Sequence, residues 1–464
     1  MKKTINKKTT LIAILLALGT LQLHAQTAPK TFRSVNPNNG MVRCTSVEYD
    51  EYLTEKNPNL SADRAQFEKL LAAKIAENKA MRLQSPDEAN AVLTIPVVIH
   101  IIHNGDAVGT SENIKEGQAL SQITVLNQDY RRMAGTPGFN DLEVGADTEI
   151  QFCLAQVKPD GSATTGIDRV NMNQVSWTSF DQINTVLKPQ TIWDPEQYFN
   201  IWVVNFGGDL SDILGYAQFP SSSGLNGINA DGGGADSDGV VIGYRYFGSK
   251  DVFAGGTYAT ALGYDKGRTA THEVGHALGL RHIWGDGGSQ QAGFTDCNAT
   301  DYCNDTPFAG WENYDCEGAY DSCPLKTGSD MTNNYMDYTN DACMDVFTKN
   351  QKTRMKTVLQ NSDRRKNLVT SNVCQVVAGA EEFNLLNGIN LYPNPTQTVL
   401  NIAVENNELP DSFVIYNSLG QTINTVKVNG SANLVINTSS YSNGVYFIKI
   451  DKGTATKTLK FIKN

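Results

Sequence analysis

HEVGHALGLRH, residues 272–282, is the stretch from which the rest of the chain can be read. On a helix, residues four apart stand one turn above each other, so His272 and His276 present two imidazoles to one point. Gly279 is free to take positive φ, which lets the chain leave the helix sharply and bring His282 round as a third ligand. A fourth position stays open. Three neutral imidazoles suit zinc, which lowers the pKa of a bound water to about 7, and Glu273 beside the first ligand is then placed to act as general base. A bare HExxH also arises by chance on buried helices. The longer spacing is more specific, since three of the chain's six histidines fall inside it.

The extended spacing resembles the metzincin signature HExxHxxGxxH, which implies His272, His276 and His282 as zinc ligands and Glu273 as catalytic base. Downstream, Met336 in Asn334-Tyr335-Met336-Asp337-Tyr338 stands where that family carries a methionine turn, an apolar floor beneath the metal. HEVGHALGLRHIWGD, the segment DYCNDTP from Asp301, NYMDYTNDACM and FCLAQVKPDG together resemble the pappalysin family over roughly residues 93–367. The resemblance implies that Tyr338 stabilises the oxyanion of the tetrahedral intermediate. It places Asp341 at the base of the S1′ pocket, where a carboxylate selects Arg or Lys. It also implies a calcium site at Asp301, Asn304 and Thr306, although an Asx-turn cluster would look the same. Two disulfides follow from it, Cys297 with Cys323 and Cys316 with Cys343, leaving Cys153, Cys303 and Cys374 without an assigned partner.

The whole chain bounds these readings. At 464 residues it is too long for one ordinary domain, and a net charge of -11 argues against a nucleic-acid partner. Residues 1–25 read as a secretory signal: basic Lys2, Lys3, Lys7 and Lys8, an apolar run from Leu11 to Leu18, and cleavage after Ala25. That run is too short for a comfortable membrane span, so the mature chain is expected to carry no transmembrane segment. Five of eight cysteines lie between Cys297 and Cys343, in a stretch too irregular for a large core; export makes disulfides the expected cross-links.

Residues 26–91 are polar and read as an inhibitory prosegment with one helix, 61–81, capped by Ser61 and striped by Ala65, Leu70, Ile75 and Ala76. Cys44 within it is a candidate ligand for the open zinc position in a latent form; an ordinary disulfide or an idle free thiol are the alternatives. Latent bacterial members of the family carry a switch cysteine in the same place. Ile95 to Ile102 is a continuous apolar run, the pattern of a buried strand, and its His100 and His103 read as structural. A helix over 116–130 and strands over 149–157 (burying Cys153), 198–205, 215–219 and 239–246 complete a mixed sheet backed by helices. The expected class is therefore α+β, zincin-like, over 92–375. Residues 221–238 form a loop whose Asp231, Asp236 and Asp238 read as a solvated turn rather than a calcium site.

After a linker, 376–388, residues 389–464 turn to short alternating runs separated by turn residues, the pattern of a small β-sandwich. LYPNPTQTVLNI, YNSLGQ and GVYFIKI within it resemble the C-terminal sorting domain of type IX secretion; a carbohydrate-binding module would need a cluster of exposed aromatics that the run lacks.

The expectation is a secreted or surface-associated zinc endopeptidase, made as a latent zymogen and exported by the type IX secretion machinery. It would cleave protein and peptide substrates before Arg or Lys, hold the substrate along the edge 215–219, and trim itself before Lys79 or Arg82. The rivals are a metzincin peptidase of different specificity and a non-catalytic surface-binding protein with a structural zinc. A protein of the second kind has no use for Glu273.

Overall fold

Strand β1 (Leu93–His103) is apolar on both faces and buried from Ile95 to Ile102, so it must lie inside a sheet covered on both sides. Along one edge it pairs in parallel first with β2 (Ile150–Leu154) and then with β3 (Ile167–Asn171); along the other it pairs with β4 (Phe199–Val204). The order continues through β6 (Val240–Gly243), parallel to β4, and ends at β5 (Gly215–Ala217), which runs antiparallel and forms the edge. This is the mixed sheet that the sequence predicts. β3 escapes the sequence reading because none of its five residues is buried, and the backbone of β1 supplies its pairing.

The structure, a computed structural model, describes residues 32, 34–82, 91–220, 234–375, 389–404, 409–452 and 455–464. The signal stretch 1–25, Asp231 and the linker 376–388 lie outside the described residues. No described helix is long and apolar enough to cross a membrane.

Among the described residues two helices precede the sheet, α1 (Ser46–Lys56) and α2 (Leu60–Arg82). α2 starts at Leu60, so Ser61 lies within its first turn and is not the cap. The face it buries is also different from the expected stripe: Phe67 and Leu71, with Leu70 and Ile75, pack on Val358, whereas Ala65 and Ala76 are exposed. Phe and Leu bury far more apolar area than Ala, so they decide which face turns inward. Val358 belongs to α6 (Lys349–Asn361), which a capping box of Thr348 and Gln351 begins.

Helix α3 (Glu116–Tyr130) supports the helix of the histidines, α5 (Arg268–Ala277): Asp129 accepts from Arg268 at 3.0 Å and from Thr271 at 2.7 Å. The opposite face of the sheet is covered by α4, residues 180–191, which contains a π-helical turn at Ile183–Leu187. His100 is structural, held between Asp168 and Asn200 at 2.9 Å each. Asp238 is neither in a solvated turn nor free for calcium: it is buried against Arg364 and Arg365, the latter opening the short α7 (Arg365–Leu368).

Disulfides join Cys297 to Cys323 and Cys316 to Cys343 in the irregular stretch after α5. A third joins half-buried Cys153 of β2 to Cys374, pairing two cysteines that the sequence leaves unassigned. Cys44 and Cys303 are free and buried.

The C-terminal residues form two antiparallel sheets. One has three strands, β7 (Ile389–Tyr392), β8 (Val399–Val404) and β11 (Val435–Asn437). The other has four, β9 (Ser412–Asn417), β10 (Thr422–Lys427), β12 (Gly444–Lys452) and β13 (Ala455–Lys463). Leu400 and Ile402 of the first share one core with Phe413, Ile415, Ile448 and Ile450 of the second, a β-sandwich.

Candidate metal centre and cleft

Helix α5 is buried along its whole length and ends in a Schellman motif: Gly279 at φ 93° donates to the His276 carbonyl at 2.9 Å, and Leu280 to that of Gly275 at 2.9 Å. The reversal carries His282 back to the first two histidines. The three Nε2 atoms then lie 3.1 Å (His272 to His276), 3.0 Å (His276 to His282) and 3.3 Å (His272 to His282) apart. Each Nδ1 is engaged on its outer side: His272 with the Tyr335 carbonyl at 2.7 Å, His276 with the Leu280 carbonyl at 2.9 Å, and His282 with Asp286. A carbonyl accepts only from a protonated nitrogen, so the inner nitrogens of His272 and His276 are bare lone pairs. Lone pairs converging in a dry pocket repel one another unless a cation stands between them. Tetrahedral zinc at about 2.05 Å from each nitrogen sets them about 3.3 Å apart, and the residues present fit such an ion.

Cys44 belongs to the same group: its Sγ and the three histidine nitrogens all lie within 4.8 Å of one another, every residue buried. Its thiol reaches Glu273 Oε2 at 3.4 Å, and the Ser46 hydroxyl donates to that same oxygen at 2.7 Å. Glu273 Oε1 is buried with no hydrogen-bond partner among the described residues. Burial pushes the Glu273 carboxyl up to about 8, against the pull of Ser46, Cys44 and Arg43.

Met336 lies beneath the helix, fully buried; a Cβ at Gly275 would come within 2.6 Å of its sulfur, so any larger residue there would push the methionine from its place. Asn334 fixes that turn by donating to and accepting from the Gln351 amide at 3.0 Å each way. Tyr338 packs on His272 and His282, and its hydroxyl donates to the Cys44 carbonyl at 3.1 Å.

The segment around Cys44 lies along the sheet edge. Val42 pairs in parallel with Ile213, Leu214 donates to the Val42 carbonyl at 3.0 Å, Thr45 to the Gly215 carbonyl at 3.2 Å, and Ala217 to the Ser46 hydroxyl at 2.8 Å. Arg43 enters a closed pocket in which its Nη2 meets Asp341 Oδ1 at 3.0 Å, with the guanidinium 5.3 Å from the Tyr264 ring. Asp341 Oδ2 also accepts from the backbone of Lys266 at 3.0 Å and of Arg268 at 3.2 Å. Asp301, Asn304 and Thr306 make a different arrangement. Asp301 accepts from the Cys303 amide at 3.0 Å and the Thr306 hydroxyl at 2.8 Å, an Asx turn, while Asn304 is exposed.

Sequence reasoning overlooks Arg43, Ser46 and Asp286. Asp286 carried a signal, four residues beyond His282 within the quoted motif; Arg43 and Ser46 flank the singled-out Cys44, but only their positions in space give them roles.

Comparison with known proteins shows the family to which the chain belongs. The family described as pregnancy-associated plasma protein-A matches residues 241–360, and a secretion system C-terminal sorting domain matches residues 390–464. An extracellular metalloprotease of Colletotrichum graminicola is 32% identical over 287 residues, 60% of this chain and 83% of its own. Another, of Neurospora crassa, is 30% identical over 295 residues, 64% of this chain and 84% of its own. Among solved structures, Tannerella forsythia mature mirolysin in complex with a cleaved peptide is similar at 38% identity and TM-score 0.50, over 60% of this chain and 96% of that one. A Tannerella forsythia promirolysin mutant is similar at 34% identity and TM-score 0.55, over 70% of this chain and 97% of that one. Identity at this level across most of the relatives' own length means that the chain belongs to the pappalysin family of metzincin metalloendopeptidases, as a secreted or cell-surface member with a type IX sorting domain at its C-terminal end.

Proposed function

We propose that the chain is a zinc-dependent endopeptidase that cleaves before Arg or Lys and is made latent. In this reading residues 1–25 are a signal peptide, 26–91 the inhibitory prosegment, 92–375 the catalytic domain, 376–388 a linker and 389–464 the sorting domain. The observation that carries it is the adjacent pair Arg43 and Cys44, a basic side chain on Asp341 beside a thiol at the three histidines. Promirolysin matches 70% of this chain against 60% for mature mirolysin, which supports a segment present only in the latent form.

Zinc held by His272, His276 and His282 supplies a Lewis acid and, with the site open, an acidic water. Everything else falls to the chain. Glu273 takes a proton and returns it to the leaving amine once Cys44 and Ser46 no longer occupy its carboxylate. The Tyr338 hydroxyl, now donating to the Cys44 carbonyl, is placed to donate to the oxygen of a scissile carbonyl in the same position. The edge β5 holds the peptide backbone, and Asp341 takes the basic side chain on the primed side, as it now takes Arg43. While Cys44 lies at the histidines its thiolate would occupy the position left open on such an ion, and the enzyme would be silent.

A structural calcium at Asp301, Asn304 and Thr306 belongs to the same proposal. Burial pushes the Asp301 carboxyl up to about 7, a penalty that a bound cation would relieve. A rise in melting temperature on adding calcium, lost in Asp301→Asn, would support it.

The proposal is tested by mass spectrometry of peptide-library products. Cleavage before Arg and Lys, abolished by a chelator, restored by zinc and absent in Glu273→Ala, is expected. Undiminished cleavage in that variant would refute it.

A further inference from the structure

The apolar cluster on the sheet face away from α5 receives a guest from the N-terminal segment. Gly215 of the edge strand faces Glu273, so the pleat turns its neighbour Tyr216 to the opposite face, among Trp202, Phe180, Ile183 and Leu187. Tyr49 of α1 enters there over the edge of β5, its ring 4.6 Å from that of Tyr216 and 5.3 Å from that of Phe180. The floor of this pocket is polar. The Tyr49 hydroxyl donates to Asn184 Oδ1 at 2.8 Å and accepts from Lys188 Nζ at 3.1 Å. Lys188 is fully buried, with its amine facing the rings of Tyr49, Trp202 and Tyr216, and it also donates to the Ser237 carbonyl at 2.9 Å.

A buried lysine is an expensive way to hold a fold together, and its cost is seen in burial drawing the amine down to about 7. Asn184 lies in the π turn Ile183–Leu187 and Lys188 directly follows it, and both meet one hydroxyl; π turns are frequent at functional sites. The Tyr216 hydroxyl, also fully buried, has no hydrogen-bond partner among the described residues. An acceptor and a cationic donor at one point match a phenol, which alone among aromatic side chains both gives and takes a hydrogen bond there.

The pocket's place in the cleft follows from the path along β5. Val42 lies beside Ile213, Arg43 at Asp341, Cys44 at the histidines and Ser46 beside Ala217, so Tyr49 stands beyond the histidines from Asp341. We propose that, once the N-terminal segment has left, the pocket under Tyr49 is a non-primed subsite that takes a tyrosine side chain of the substrate. The inference rests on Asp341 being the primed-side pocket. From Cys44 to Tyr49 the chain makes about one extended step and one helical turn, a reach of about 8 Å that an extended substrate covers in roughly two to three residues. The subsite therefore belongs to P2, P3 or P4.

The test uses the self-processed full chain and peptides with Arg after the scissile bond and Tyr, Phe or Ala at each of P2 to P4. At one of these positions Tyr is expected to exceed Phe in kcat/KM by roughly tenfold or more, because Phe leaves Asn184 Oδ1 without its donor and the buried Lys188 amine with one acceptor fewer. Asn184→Leu, on a half-buried residue, and Lys188→Met are each expected to bring that ratio close to one, and the ratio is internal to each variant, so lost folding does not imitate it. Equal rates for Tyr and Phe at all three positions, or a ratio unchanged in both variants, would overturn the subsite while cleavage before Arg stands. Absence of cleavage before Arg throughout would strike the proposed function itself.

Discussion

Removing the Arg43 side chain should loosen latency without touching the thiol. Arg43 and Asp341 are 1% and 0% exposed at the side chain and 3.0 Å apart, so Arg43→Ala leaves a carboxylate buried beneath the N-terminal segment without its ion-pair partner. Breaking a buried pair from one side costs about 3–5 kcal/mol. Two features lower that figure here. Asp341 keeps two backbone donors, from Lys266 and Arg268, and Arg43 itself leaves Nε and Nη1 without partners among the described residues. We therefore expect about 2–3 kcal/mol, which raises the open fraction of the unprocessed chain by about 30- to 150-fold. The assay is the initial rate on a fluorogenic peptide, taken before a gel shows any clipping, for wild type, Arg43→Ala, Arg43→Lys and Cys44→Ala. Arg43→Lys should lie between the first two, keeping the charge and losing the planar contact with Tyr264. A rate for unclipped Arg43→Ala equal to wild type, with Cys44→Ala released, would refute the view that the basic plug shares in holding the cleft shut.

Two further outcomes follow from buried carboxylates. Asp341→Ala in the processed enzyme should lose its preference for Arg and Lys while still cleaving apolar peptides; a variant that retains the basic preference would disprove the pocket. Asp238 is opposed by burial, yet Arg365 and Arg364 outweigh that and hold its carboxyl down at about 2. A depressed carboxylate stabilises the fold above its unfolded pKa of about 3.9 and ceases to do so as pH falls towards 2, a change of about 2.5 kcal/mol. Urea denaturation at pH 5 and pH 3 should show about half of this loss, roughly 1.2 kcal/mol, in wild type and little of it in Asp238→Asn.

How much of this was legible beforehand depended on whether the signal was local. The spacing of His272, Glu273, His276, Gly279 and His282 is a statement about one helix and one turn, and the helical repeat alone brings those groups together. The apolar runs of β1, β4 and β8, and the amphipathic helix α3, were equally plain, because burial on both faces or on one stripe leaves its own period in the sequence. β3 and β10 were missed since they bury almost nothing, and edge position leaves no apolar period to read. The disulfide between Cys153 and Cys374 spans 221 residues, and no spacing rule reaches so far.

The sequence by itself determined a metal-binding helix, its reversal, a mixed sheet and a separate β-sandwich. It could not place Arg43 on Asp341, 298 positions away, nor Ser46 on Glu273, nor Tyr49 between Asn184 and Lys188. Those contacts exist because the edge of β5 accepts the N-terminal segment as one more strand-like partner, and pairing at a sheet edge is satisfied by any backbone. Only the folded chain decides which side chains that pairing carries into the cleft.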